Sequence, residues 1–233
     1  MPYRRLPNTD QARLRALQTA VDRASASDMY TMVISLKTLT EARNFLKRFE
    51  GAQTYYKECY DNQAKASHRH QSSVRMARLY LSHFIQVLNM SVVRSEIKKK
   101  TKELYGLPED NNNVPDLTSE AAIAEWGKKV IAGEQQRISA GGIPIYNPTI
   151  AKVRVHYDIF MDGYNKQKNL QAITNRSLSE LASMRDDADR IILDIWNQVE
   201  KNFEEVTPNE KRLDLCREYG VIYYYRSNEK PVV

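Results

Sequence analysis

The feature that most constrains this chain is a regular spacing of apolar residues across positions 36–104. Leu39, Ala42, Leu46, Phe49, Tyr56 and Tyr60 fall three or four residues apart, with Gln53 at the one missing step. Beyond a polar interval at 67–73 the spacing resumes through Val74, Ala77, Leu81, Phe84 and Leu88. That period sets apolar groups along one stripe of a helix and leaves Lys, Arg and Glu on the other face. No proline occurs between Pro7 and Pro108, and proline is the residue that ends helices. Two long stripes joined by a short polar link predict an antiparallel hairpin that turns over at 67–73.

The flanking segments extend the same pattern. Asn8, Thr9 and Asp10 offer capping groups ahead of Leu14, Leu17 and Val21, and 29–34 is apolar and β-branched enough for a brief extended piece. Thr38-Leu39-Thr40-Glu41 reads as a capping box, with Ser35 as an alternative cap one turn earlier. Positions 106–118, with Asn111-Asn112-Asn113 between Pro108 and Pro115, form the clearest loop. Thr118-Ser119-Glu120 opens a helix carrying Ile123, Trp126, Val130 and Ile131, and Asn147-Pro148 opens another with Ile150, Val153, Tyr157, Phe160 and Tyr164. The pattern breaks at 174–177, and Ser177-Leu178-Ser179-Glu180 restarts it as a capping box. A short helix follows Thr207-Pro208. The expected fold is all-α: antiparallel helical hairpins packed as a bundle, with a short C-terminal extended segment. Residues 1–233 read as a single helical domain, or as two hairpin subdomains, 1–108 and 116–233, joined by the loop at 106–118.

That extended segment is Val221, Ile222, Tyr223, Tyr224 and Tyr225, whose β character has no obvious mate. Three arrangements stay open: pairing with 29–34, packing on the bundle as an irregular plug, or recruiting a strand from another chain. The last makes these five residues a candidate partner surface.

Charge is unevenly placed. Residues 1–117 carry 19 Lys and Arg against 12 Asp and Glu, a balance of +7, while the remainder is close to neutral. Such asymmetry draws anionic partners to the first half, and Arg94, Lys98, Lys99, Lys100 and Lys102 are the candidate anion or nucleic-acid patch. Cations also gather at helix C-terminal ends to offset the macrodipole, which accounts for the same run with no nucleic acid.

Catalytic and metal-binding motifs are largely missing. None of His68, His70, His83 and His156 follows a carboxylate at the Glu-x-x-His spacing of di-iron bundles, and there is no H-E-x-x-H. His68 and His70 form an H-x-H pair able to approach a metal only on extended backbone. His83, Gln86 and Asn89 are a candidate polar pocket between helices, or a network fixing helix register. Asp186, Asp187 and Asp189 lie among Arg185 and Arg190, a pattern that fits a salt-bridged helix surface better than a cation site. Gly141-Gly142 lacks the residues of a phosphate loop, and no G-x-S-x-G elbow occurs. No cofactor is implied. Cys59 and Cys216 are far apart with no C-x-x-C, which favours a reducing compartment. Residues 1–7 lack the apolar core of a secretory signal and no uncharged run suffices for a membrane span, so the expectation is cytoplasmic, without membrane.

Four phrases stand out together: Leu6-Pro7-Asn8-Thr9-Asp10, Leu81-Ser82-His83-Phe84-Ile85-Gln86-Val87-Leu88-Asn89, Leu104-Tyr105-Gly106-Leu107 and Arg217-Glu218-Tyr219-Gly220-Val221-Ile222-Tyr223. In this order they resemble a group of uncharacterised bacterial all-helical proteins, over nearly the whole chain. The resemblance implies one shared architecture and a bacterial, cytoplasmic origin, and it brings no activity, cofactor or catalytic residue. The functional expectation is a non-enzymatic helical scaffold or protein-interaction protein. A nucleic-acid binder using the basic first half, and a small-ligand or metal carrier, are the alternatives.

Overall fold

The computed structural model describes residues 3–26 and 32–225. Among the described residues six α-helices carry the fold: α1 (Asp10–Ser25), α2 (Leu36–Val93), α3 (Glu120–Ser139), α4 (Ile150–Ser183), α5 (Arg185–Asn202) and α6 (Asn209–Glu218). A 3-10 segment spans Lys99–Tyr105, and two short strands, β1 (Tyr3–Arg4) and β2 (Tyr223–Tyr224), form an antiparallel pair. The architecture is an all-α helical bundle with a minimal two-stranded sheet.

Helix starts follow local chemistry. Thr9 accepts a hydrogen bond from the Ala12 amide, Ser119 from Ala122, and Ser35 from Thr38, so Ser35 rather than Thr38 caps α2. The expected hairpin turn at 67–73 does not form, because α2 runs unbroken for 58 residues. The polar interval contains neither Gly nor Pro, so nothing in it breaks the helix, and His70 packs its one buried face on Phe160 while the rest of the run meets water. Ser72 and Ser73 return their hydroxyls to the carbonyls of Arg69 and His70, which removes their competition with the helix ladder. The break expected at 174–177 is likewise absent. Ser177 donates to the Thr174 carbonyl inside α4, and the helix ends only at Ser183. α5 starts after Met184 with no side-chain cap, so the Ser177–Glu180 box is interior to α4.

The chain divides into two compact units whose limits fall inside the two long helices, between Cys59 and Tyr60 and between Ile173 and Thr174. The loop at 106–118 lies within the second unit.

The first unit comprises Met1–Cys59 and Thr174–Val233. Its core gathers Leu17 and Ala20 of α1, Ala42 and Phe49 of α2, and Ile191, Ile195, Trp196 and Val199 of α5. Each aliphatic or Phe side chain buried here contributes roughly 1.5–3 kcal/mol relative to exposure. Paired charges frame that core. Arg13 forks onto Asp189 at 2.7 and 2.9 Å, and Arg185 forks onto Asp10 at 2.9 Å through both bonds. Arg190 reaches Glu41 and Asp187. The charge run at 185–190 is therefore spent mainly on salt bridges, as its pattern suggested.

The mate of the C-terminal segment is β1: Tyr3 lies opposite Tyr224 and Arg4 opposite Tyr223. Of the alternative mate at 29–34, residues 29–31 lie outside the described residues, and β2 does not pair with 32–34.

The second unit, Tyr60–Ile173, buries Leu81, Phe84, Ile85 and Leu88 of α2 against Ile123 and Val130 of α3 and Val153 and Phe160 of α4. Its helices approach closely at Gly127, where an added Cβ would strike the Tyr157 ring at 2.3 Å. Among the described residues no helix is long and apolar enough to cross a membrane.

Candidate functional site

The five tail residues face mainly inward. Val221 is 2% exposed within the first core, and Ile222 and Tyr223 pack against that core. Tyr223 donates to Glu200 at 2.8 Å; burial first, then this contact with Glu200, pushes its phenol above the ordinary tyrosine range. Only Tyr224 is well exposed, with its ring 6.2 Å from that of Tyr3.

One member of the basic run turns inward on folding. Lys102 is fully buried, and its ammonium donates to the Asn111 carbonyl at 2.7 Å and to Asn112 Oδ1 at 3.1 Å. Desolvation lowers its pKa. Arg94 pairs with Glu96 at 2.9 Å and Lys99 stands 3.8 Å from Asp110, while Lys98 and Lys100 remain exposed. The candidate polar pocket separates: His83 and Gln86 point to solvent, whereas Asn89 is buried and donates to the Asn112 carbonyl at 2.9 Å. Lys102 and Asn89 thus hold the same asparagine loop from two elements.

Of the H-x-H pair, His68 is exposed and His70 buried, as helical backbone requires of positions two apart. Among the described residues no three His, Cys, Asp or Glu side chains are grouped to hold a metal.

Two features of the second unit were not read from the sequence. The first is a buried ionic network on α3. Glu134 is fully buried and accepts from Arg137 Nε at 2.9 Å, Arg137 Nη2 at 2.7 Å, the Ile145 amide at 3.1 Å and the Tyr105 hydroxyl. Arg137 Nη2 also donates to the Ile143 carbonyl at 2.8 Å. Burial would lower the Arg137 pKa, but Glu134 and Tyr105 hold it above its usual value, while burial and Glu134 raise that of Tyr105. A buried pair satisfied this fully is firm, and removing one member strands the other. The available signal was position: Glu134 falls four residues after Val130 on the apolar stripe of α3, where a charge needs a partner.

This network fixes the backbone of the turn at 141–147, beside a groove of about 710 Å³ between that turn and 87–101. The turn displays Ile143 at 75% and Tyr146 at 76% exposure. Val87, Ile97 and Pro144 add apolar lining, and Arg94 and Lys98 stand on the same wall.

The second feature is a groove of about 580 Å³ between α2 and α4. His70 lines it, with its ring stacked on Phe160 at 5.5 Å between centroids and Nδ1 2.9 Å from Ser73 Oγ. Its Nε2 lies 3.3 Å from Glu120 Oε2 but off the line of a hydrogen bond, so the nitrogen is near a carboxylate without being bonded to it. The Ser73–His70–Glu120 succession looks like a relay. However, Ser73 sits inside a helix and spends its proton on the His70 carbonyl at 2.7 Å, so its oxygen is not poised as a nucleophile.

The fold and these two grooves define an all-α protein of two compact units whose second unit holds ligand-sized clefts. No protein-family model, no curated protein and no solved structure matches the chain.

Proposed function

We propose that this chain is a non-enzymatic helical interaction protein, and that its docking surface is the turn at 141–147 with the adjoining groove. The observation that carries this reading is the exposure of Ile143 and Tyr146 on backbone clamped by Arg137 and Glu134. Large apolar side chains shown to water on a mobile loop cost ordering entropy when bound, and on a fixed turn most of that cost has been met by folding. Tyr is also among the residue types that most often dominate binding energy. The basic groups on the wall favour a partner segment with apolar side chains flanked by acidic ones, because Lys98 makes no ion pair among the described residues and Arg94 is neutralised only by exposed Glu96. The tail at 221–225 supports a different role, because its apolar side chains are mostly spent on the first core.

A photo-crosslinking amino acid placed at Tyr146, with Val155 as an exposed control, tests this in living cells. One discrete adduct is expected at Tyr146, absent at Val155 and lost when Ile143→Asp is added. Mapping of the adduct should find an acidic, apolar segment. Identical adducts at both positions, or none at Tyr146, would overturn the reading.

A further inference from the structure

The groove between α2 and α4 differs in chemistry from the surface at 141–147 and does not depend on it. Lys65 and Arg69 enter from α2 at positions i and i+4, so they project from one face, and Lys166 enters from α4. No carboxylate lines the groove. Among the described residues none of these three cations makes an ion pair, in a protein that pairs Arg13, Arg137, Arg185 and Arg190 with carboxylates. Three positive charges sharing one groove repel one another and create a local potential that an anion relieves.

The inner wall is a built feature. His70 is 6% exposed and held by Ser73 and Phe160, with its Nε2 turned to Glu120 outside the groove lining. Ile159 and Leu170 supply apolar lining on the α4 side. A volume of about 580 Å³ is in the range of small-molecule clefts. Polymeric nucleic acid would need cations strung along a track with stacking aromatics between them, whereas here the cations meet at one cleft and no aromatic side chain other than His70 lines it.

We propose that this groove binds a small organic phosphate, its phosphate received by Lys65, Arg69 and Lys166 and its carbon skeleton laid against Ile159 and Leu170. The basic first half of the chain then matters through two side chains of α2 and one from beyond it, rather than through the lysine run at 98–102.

Isothermal titration of the full chain with phenyl phosphate, inorganic phosphate and a single-stranded oligonucleotide tests the assignment. Phenyl phosphate is expected to saturate with one site per chain and to bind more tightly than inorganic phosphate. The pair Lys65→Ala and Lys166→Ala should weaken it about tenfold or more, the scale expected when charge-assisted contacts are lost. Lys100→Ala should leave it unchanged, with circular dichroism verifying that each variant is folded. No saturation, an unchanged affinity in the double variant, or equal affinity for inorganic phosphate (an adventitious ion only) would overturn the proposal. So would an oligonucleotide that binds more tightly than phenyl phosphate and displaces it.

Discussion

His70 occupies the space that a side chain at position 163 would need: a Cβ built on Gly163 would stand 2.2 Å from His70 Nδ1. A glycine inside a helix costs about 1 kcal/mol relative to alanine, so α4 gives up helix propensity to admit the imidazole. Gly163→Ala therefore sets that gain of about 1 kcal/mol against an overpacking cost of roughly 1–3 kcal/mol. The expected outcome is a lower melting temperature, because the atom in the way belongs to a ring held by Ser73 and Phe160 rather than to a free side-chain end. Gly163→Ala combined with His70→Ala should cost less than the two single changes added together, since the clash vanishes with the ring. Additive losses would show that the ring does not depend on the glycine.

A second prediction concerns the asparagine loop. Lys102 and Asn89 both donate to its carbonyls from buried positions. Lys102→Met keeps most of the side-chain volume but leaves the Asn111 carbonyl without its donor, a loss of about 1–3 kcal/mol if the oxygen stays buried. The loop should then open locally. Hydrogen exchange at 109–113 is expected to quicken in Lys102→Met and in Asn89→Ala, while exchange in α1 stays as it was. Unchanged exchange at 109–113 would mean that neither side chain holds the loop.

The helices and their buried stripes were legible because burial follows the apolar period: Ala42, Phe49, Ala77, Phe84, Val153 and Phe160 all fall in the cores. The turns were less legible. A polar run such as 67–73 looks like a link when no Gly or Pro is required of it, and the helix passes through with Ser72 and Ser73 bonding back to their own turn. Contacts distant in sequence left the weakest trace. The pairing of Tyr3 with Tyr224 joins the two ends of the described chain, which no local pattern records. Lys102 shows where the basic run departs from one surface, since its charge reads as exposed while, after the sharp turn at Ser95 (φ 62°), it lies inward. The α2–α4 groove draws on lining residues more than 80 positions apart in sequence, so residue types alone gave no reason to join Lys65 and Arg69 to Lys166.

The tail offers a direct contrast between two neighbours. Val221 is 2% exposed in the first core and Tyr224 is 45% exposed on β2. Val221→Asp puts an uncompensated carboxylate among apolar groups, so a loss of several kcal/mol is expected, with exposed core and aggregation. Tyr224→Asp should change stability by only about 1 kcal/mol or less, the size of a cross-strand pair. Chemical denaturation with light scattering reads both. Comparable losses at the two sites would contradict the buried placement of the segment.

The last prediction concerns alkaline pH and the Tyr105–Glu134–Arg137 network. Burial and the Glu134 carboxylate raise the Tyr105 pKa above its ordinary value near 10 in the folded protein. Above pH 10 the unfolded chain therefore loses the phenolic proton first, and stability contributed by the neutral phenol falls as pH climbs toward the folded value. Lys102 works in the opposite sense. Its folded pKa lies below 10.5, so over that interval the unfolded state binds more protons and stability rises with pH. Tyr157 and Tyr223 are also raised and remain in any Tyr105 variant, so the comparison must be made against wild type at each pH. Tyr105→Phe is expected to cost about 1–3 kcal/mol at neutral pH, because buried Glu134 loses a donor and Arg137 an acceptor. The gap between variant and wild type should then narrow as pH rises beyond about 10, since the variant has no phenol to lose at that site. Thermal melts of both proteins from neutral pH to about pH 11 provide the measurement. A gap that stays constant would show that Tyr105 titrates alike in the folded and unfolded chain, and that the network leaves its proton untouched.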